Sequence, residues 1–327
     1  MFAGLPLPRE NIAAARDLQV ANYTQAVNLH FFHGPFYLCC QRGFTDWLAE
    51  KDPDALIVEA NARYLATSAA VKWMHAHGRK VIGWGLGSPP PSGPFGGFRQ
   101  MRRRQFLSQF DALIAYSQRG ADEYAAHGFP HERIFVAPNA AAARPVEKPK
   151  QRPRTVERLS ILFVGRLQAR KRIDSLLRAC AELDQNVRLI IVGDGPERRN
   201  LESLARQIYP SAEFAGARHG DEVKPFFLEA DLFVLPGTGG LAVQEAMSHG
   251  LPVIVAKGDG TQDDLVRPTN GWQIPSEDHG ALVETLRLAL SDVDRLRRMG
   301  EESFRIVSEE INLEKMVEVF VRALNSL

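Results

Sequence analysis

The sequence predicts an α/β protein built from two open, doubly wound parallel sheets, with helices on both faces of each. Three observations lead to that fold class. Short apolar runs recur and end in glycine or another turn residue. Stretches with helical spacing separate them, and a proline-rich, charged segment near residue 150 divides the series in two. A chain of 327 residues exceeds one ordinary core, which agrees with two domains. With 45% hydrophobic and 24% charged residues the balance is that of a globular protein. A formal charge of +1 provides no general attraction for nucleic acid, and no nucleic-acid motif is present. Cys39, Cys40 and Cys180 show neither a disulfide framework nor metal spacing, so a reducing cytosol is the expected compartment. No apolar run is long enough to span a bilayer, and the opening MFAGLPLPRE lacks the basic start and apolar core of a signal peptide.

The elements follow in order. In the first domain, 1–150, ALIVEA (55–60) is a strand, followed by a helix to His77. KVIGWGLG, ALIAYS (112–117) and RIFVAPNA (133–140) are three more strands, and Cys39 and Cys40 read as packing residues. The link ARPVEKPKQRPRTVERL, with Pro145, Pro149, Pro153 and alternating charge, cannot build a core. The second domain, 151–311, opens on the buried-type strand LSILFVG (159–165). A helix follows, with Ile173, Leu176, Leu177 and Cys180 on one face. Then come VRLIIVGDGP, the helix ERRNLESLARQI, AEFAG, the helix DEVKPFFLEA, DLFVLPG, a short helix around Glu245, PVIVA and GWQI. A terminal helix, 312–327, starts at Asn312 as N-cap. Its stripe of Leu313, Met316, Val317, Phe320, Val321 and Leu324 must dock.

Ligands of open parallel sheets bind beyond the carboxyl ends of the strands, so the residues just after each strand carry the chemistry. Those residues are Gly165 and Arg166 with Lys171, then Gly193 in GDGP, then Gly216 and Ala217, then the cluster GTGG ending at Gly240. Two cations, several glycine turns and the N-terminus of a helix beginning Gly240, Leu241, Ala242 suit a diphosphate. Glu245, one turn further on, would repel phosphate but accepts hydrogen bonds from two vicinal hydroxyls, as on a ribose. The site reads as one for a nucleoside diphosphate. Arg166 and Lys171 have the alternative of being solvated surface charges, and GDGP alone is an ordinary turn. His219 reads as a surface loop residue.

Four stretches, FVGRLQARKRIDSLLRA, LIIVGDGPERRNLE, FAGARHGDEVKPFFLEADLFVLP and LAVQEAMSHGLPVI, together resemble the donor domain of retaining glycosyltransferases of family 4. The resemblance runs through residues 159–275. ALIAYSQRGADEYAAHGFPHERIFVAPNAA resembles the end of that family's acceptor domain, with Asn139 on the family's Pro-Asn-Gly asparagine. It implies the GT-B architecture, two Rossmann-like domains facing a central cleft. It implies that a nucleotide-sugar is substrate, that no cofactor or metal takes part, and that the sugar passes to a saccharide or lipid-linked acceptor with retention. Arg166 and Lys171 would be the catalytic, diphosphate-binding cations and Glu245 the ribose ligand.

The chain departs from the family pattern at three places. The family motif E-G-F-G-L-x-x-x-E has Gly237 at its first glutamate, and a common histidine position holds Leu86. MFAGLP resembles the end of a second strand, so one βα unit is expected to be absent. NYTQAVNLHFF supplies the third strand. In an order 3-2-1-4-5 the absent strand is central, and its place would be a gap lined with unpaired backbone. These departures support a second reading, a catalytically impaired relative serving as a nucleotide-binding or assembly partner. Two further groups are candidates. Glu59, Asn61 and Arg63 end a strand and either cap it or meet the acceptor. FGGFRQMRRRQFL (95–107) sets Arg99, Arg102, Arg103 and Arg104 among aromatics, as either a solvated helix face or a peripheral contact with anionic membrane.

Overall fold

The computed structural model describes residues 1–5, 20–32, 34–91, 93, 95–149, 152–153, 157–258 and 260–327. It divides into two compact units, residues 1–137 with 319–327, and residues 138–318.

The first unit runs β1 (Phe2–Gly4), β2 (Thr24–Phe31), β3 (Leu38–Arg42), α1 (Phe44–Lys51), β4 (Ala55–Glu59), α2 (Ala66–Ala76), β5 (Lys80–Gly85), α3 (Gly96–Leu107), β6 (Ala112–Ala115), α4 (Gln118–Ala126) and β7 (Ile134–Val136). Its strands form two sheets. One is β4-β5-β6-β7, all parallel, and the other is β1-β2-β3. The β2–β3 pair is antiparallel, with Leu29 opposite Cys40, where the sequence reading expected parallel strands alone. The short connection from Phe31 to Leu38 explains this, because a parallel neighbour needs a crossover of about a dozen residues. Among the described residues no pairing joins β1 to β4. Leu48, Met74 and Tyr124 from the helices and Val81 and Leu113 from β5 and β6 are fully buried in one core.

The second unit runs β8 (Ser160–Val164), α5 (Ile173–Ala181), β9 (Arg188–Val192), α6 (Arg198–Ile208), β10 (Glu213–Gly216), α7 (Lys224–Glu229), β11 (Leu232–Leu235), α8 (Leu241–Ser248), β12 (Val253–Ala256), α9 (Thr261–Leu265), β13 (Gly271–Ile274), α10 (His279–Leu290) and α11 (Val293–Glu309). Six parallel strands lie in the order β10-β9-β8-β11-β12-β13. Ile161 of the central β8 is in register with Leu189 on one side and Leu232 on the other. The strands are apolar throughout because both faces are covered, and β11 and β12 are wholly buried.

The boundary between units falls at Ala137/Pro138, earlier than residue 150. The reason is local. Gln244 Oε1 accepts from the backbone of Ala141 (2.6 Å) and Ala142 (3.1 Å), fastening the start of the link to the second unit. Arg152, further along the link, donates to the carbonyls of Ala230, Gly250, Phe227 and His249 at 2.7–3.0 Å. Burial pulls its pKa down to about 10, still charged at neutral pH.

The last helix, α12 (Leu313–Asn325), is capped as expected, Asn312 Oδ1 accepting from Lys315 N at 2.9 Å. The predicted stripe is a poor guide to its buried face. Val319 and Ala323 are buried, while Leu313, Val317, Val321 and Leu324 are exposed. The helix is turned so that Phe320 meets Trp84 edge-on, 5.1 Å between centroids.

Candidate functional site

The site is assembled at the carboxyl ends of β8, β9, β10 and β11. Three strand ends are laced laterally. Gly165 N donates to Val192 O (3.0 Å), Gly193 N to Gly216 O (2.8 Å) and Leu167 N to Asp194 O (2.9 Å). Gly193 has φ 142°, and a side chain there would run into the Gly165 carbonyl, so only glycine permits these turns to approach. Arg166 leaves this rim half-buried. Asp194 is not an open carboxylate. It accepts from Gly195 N and pairs with Arg198, which holds its pKa below the usual range.

Lys171 closes a short 3-10 turn, Ala169–Lys171, after β8. Its Nζ donates to Thr238 O at 2.7 Å, and Thr238 N donates to Arg170 O at 3.0 Å. The turn after β8 is therefore docked on the loop after β11, and Lys171 is held next to the start of α8. Gly237 makes that docking possible. It is buried, and a Cβ there would strike the Arg170 carbonyl and the Lys171 backbone. A glutamate at 237 would occupy the space this turn fills, which gives a physical reason for the departure noted in the sequence.

Gly240 is the N-cap of α8, with Leu241 55% exposed and Ala242 half-buried behind it. The first amides of the helix have no capping side chain. Glu245 lies half-buried in α8, and among the described residues no hydrogen bond or ion pair to its carboxylate is found. Desolvation holds its pKa above the ordinary carboxylate value. A half-buried carboxylate that desolvation makes costly to ionise is an acceptor that a ligand's hydroxyls would satisfy. Gly216 and the exposed Ala217 end β10. His219 is exposed at the foot of a 3-10 turn and takes no part.

Sequence reasoning missed Gln262. This α9 side chain is 1% exposed, and neither amide atom has a hydrogen-bond partner among the described residues. A Cβ on Gly240 would stand 3.0 Å from its Nε2, so the amide lies at the start of α8. Nothing in the residues around Thr261 signals this, because its meaning depends on burial alone.

The first-unit candidates separate. Asn61 Nδ2 donates to Glu59 Oε1 (3.1 Å), and Asn61 Oδ1 accepts from Arg63 N (3.1 Å). This is a local turn that closes the end of β4. Leu86 is 46% exposed at the end of β5. In α3 only Leu107 is fully buried. Arg103 donates to Pro89 O and Arg104 packs against Gly128, while Arg99 and Arg102 are exposed beside Phe95, Phe98 and Met101. Among the described residues no helix is long and apolar enough to cross a membrane.

Comparison with known proteins fits this geometry. Residues 146–305 match the family described as glycosyl transferases group 1, and residues 3–140 match a glycosyl transferase 4-like domain. The two matches lie one after the other, and each covers a little under half of the chain. A protein named as a colanic acid biosynthesis glycosyltransferase, WcaL of Escherichia coli K12, is 28% identical over 225 residues, 64% of this chain and 55% of the relative. A GDP-mannose-dependent alpha-mannosyltransferase of Mycobacterium tuberculosis is 40% identical over 116 residues, 35% of this chain and 29% of the relative. The chain thus spans about half or less of the length of these curated relatives. Among solved structures, the lipopolysaccharide outer core galactosyltransferase WaaB superposes with TM-score 0.67 at 20% identity, covering 87% of this chain and 78% of that one. Anabaena Alr3699/HepE in complex with UDP superposes at 0.70 and 17% identity, covering 86% and 82%. These likenesses give the chain the GT-B architecture.

Proposed function

We propose that the protein transfers a sugar from a nucleoside-diphosphate sugar to a saccharide or lipid-linked acceptor, with retention and without a metal. Glu245, half-buried and without a partner among the described residues, carries the reading from its place beside the open N-terminus of α8. One end of α8 offers amide donors and a positive dipole for a phosphate, and the carboxylate one turn on accepts from a ribose diol. Lys171, held at the same loop, and Arg166 on the neighbouring rim neutralise the charge that develops as the sugar–phosphate bond breaks. In that step the anomeric carbon–oxygen bond to phosphate breaks and a bond to the acceptor oxygen forms on the same face. The acceptor proton passes to the departing phosphate oxygen. The Gln262 amide supplies one donor and one acceptor to whatever sits at the α8 terminus. The names of the relatives support the class of reaction, and a UDP complex of a structural neighbour supports the class of donor. The exposed Phe95, Phe98, Met101, Arg99 and Arg102 suit a peripheral contact with an anionic membrane surface, where a lipid-linked acceptor is met.

The test is release of free nucleotide from a panel of UDP-, GDP- and ADP-sugars, with and without saccharide or lipid-linked acceptors. Acceptor-dependent release supports transfer. Nucleotide binding with no release from any donor would support an inactive relative.

A further inference from the structure

A groove on the first unit lies outside the candidate donor site. It has a volume of about 990 Å³ and runs between α3 and the turn that leads from α4 into β7. Gly97, Met101, Arg104 and Ser108 line it from α3, at spacings of three and four residues that share one helix face. His127, Phe129 and Arg133 line it from the turn. α3 leads into β6 and the turn leads into β7. The groove therefore reaches the amino ends of those strands, away from the carboxyl ends where ligands of open parallel sheets bind.

Its lining is apolar and cationic at once. Leu107, Phe110 and Phe129 are buried there, and Met101 is exposed. Arg104 and Arg133 are exposed, and among the described residues neither guanidinium has a hydrogen bond or an ion pair. No carboxylate is among the described residues of the lining. Gly128 has φ 84°, and a Cβ there would stand 2.9 Å from the Arg104 guanidinium, so glycine lets Arg104 lie across the turn next to His127. His127 is 4% exposed. Its Nε2 is 2.7 Å from Ser88 O, which only accepts, so Nε2 carries the hydrogen and Nδ1 of the neutral ring is an acceptor. That Nδ1 is buried without a partner among the described residues.

Two guanidiniums without a counter-charge suit an anion, and one phosphate accepts from both. A free phosphate would leave the apolar lining in water, and an uncharged acyl chain would leave the cations unneutralised. A phospholipid supplies both parts. Phe98 and Arg102, on the α3 face next to Met101, belong to the surface read as meeting an anionic membrane, so the groove opens beside a source of such lipid. We infer that the groove holds one anionic phospholipid of the membrane, its phosphate on Arg104 and Arg133 and the first carbons of an acyl chain along Met101, Phe110 and Phe129. A hydroxylated head group also offers a donor to His127 Nδ1. The inference rests on the reading of α3 as a peripheral membrane contact. It adds a lipid site separate from the strand ends where an acceptor would sit.

Calorimetric titration of the full chain with dihexanoyl phosphatidylglycerol, below the concentration at which it forms micelles, tests the groove without a bilayer. Binding should be saturable and one-to-one. Dihexanoyl phosphatidylcholine, with the same chains and no net charge, and inorganic phosphate should each bind at least about tenfold more weakly. Arg104→Gln with Arg133→Gln, at two exposed positions, should weaken the phosphatidylglycerol by about tenfold or more. Arg99→Glu with Arg102→Glu should lose co-sedimentation with vesicles of phosphatidylglycerol and phosphatidylcholine, yet keep affinity for the short-chain lipid within about threefold. Failure of the groove and failure of the membrane contact are thereby told apart. No saturable binding, equal affinity for the two lipids, or unchanged affinity in the Arg104→Gln, Arg133→Gln variant would overturn the inference. Inorganic phosphate bound as tightly as the lipid would assign the groove to a soluble phosphate and overturn the lipid reading. Short-chain binding with no co-sedimentation of the wild type would overturn the membrane as its source.

Discussion

Replacing Glu245 with glutamine separates binding from folding. The carboxylate is half-buried with no partner among the described residues, and desolvation raises its pKa. A raised folded-state pKa means that the protonated form is favoured by folding. That stabilisation is complete below the unfolded pKa and is lost as pH rises through the folded pKa. At neutral pH the ionised side chain is therefore a cost to the free protein, and Glu245→Gln should hold or raise Tm. The gain over wild type should vanish on acidification, as the native carboxyl takes up its proton. Binding should move the other way. A carboxylate accepts from two vicinal hydroxyls, whereas the amide presents one acceptor oxygen. The loss is about one hydrogen bond to a charged group, about 1.5–3 kcal/mol, or roughly 10- to 150-fold in nucleoside-diphosphate affinity. Thermal melts across pH and calorimetric titration with nucleoside diphosphates measure the two effects. A lowered Tm with unchanged affinity would refute the reasoning, because it would mean the carboxylate holds the fold together and faces no ligand.

Other outcomes follow from the same geometry. Gly237→Glu restores the family's residue but not its environment. It should destabilise the second unit by about 1–3 kcal/mol through overpacking against Arg170 and Lys171, and weaken nucleotide binding by displacing Lys171, as read by melts and calorimetry. Arg152→Met leaves four carbonyls without their donor and should cost about 2–4 kcal/mol in urea unfolding, with nucleotide affinity little changed in the folded protein. Arg99→Glu with Arg102→Glu should abolish co-sedimentation with anionic vesicles at low salt while leaving nucleotide affinity intact. Absence of wild-type co-sedimentation would make α3 a solvated helix.

Much of the second unit was legible because its signals are local. SILFV, RLIIV and LFVL are apolar runs that only a strand covered on both faces explains, and each ends at a glycine or turn that forms the rim. The position of Arg166 and Lys171 just after β8 was legible from the same spacing. What the residues did not reveal depends on contacts distant in sequence. The terminal helix has more apolar residues than one face can bury, so periodicity could not choose the face around Val319 and Ala323 over the stripe through Val317. Gly237 read as a lost carboxylate, and only the approach of the turn from Ala169 to Lys171 shows why no side chain fits. LCCQR, which forms the antiparallel β3, has no strand signal beyond its pairing with β2. Gln262 is one amide among turn residues until burial leaves it unpaired.

The central claim is that the second unit holds a nucleoside diphosphate between Arg166, Lys171 and the start of α8. Isothermal titration of the full chain with UDP, GDP and ADP, repeated on Lys171→Ala, tests it most directly. The account predicts saturable one-to-one binding of at least one of them, weakened by about 1.5–3 kcal/mol in the variant with the fold intact by circular dichroism. Failure of every nucleotide to bind the wild-type chain, or equal affinity in Lys171→Ala, would contradict it.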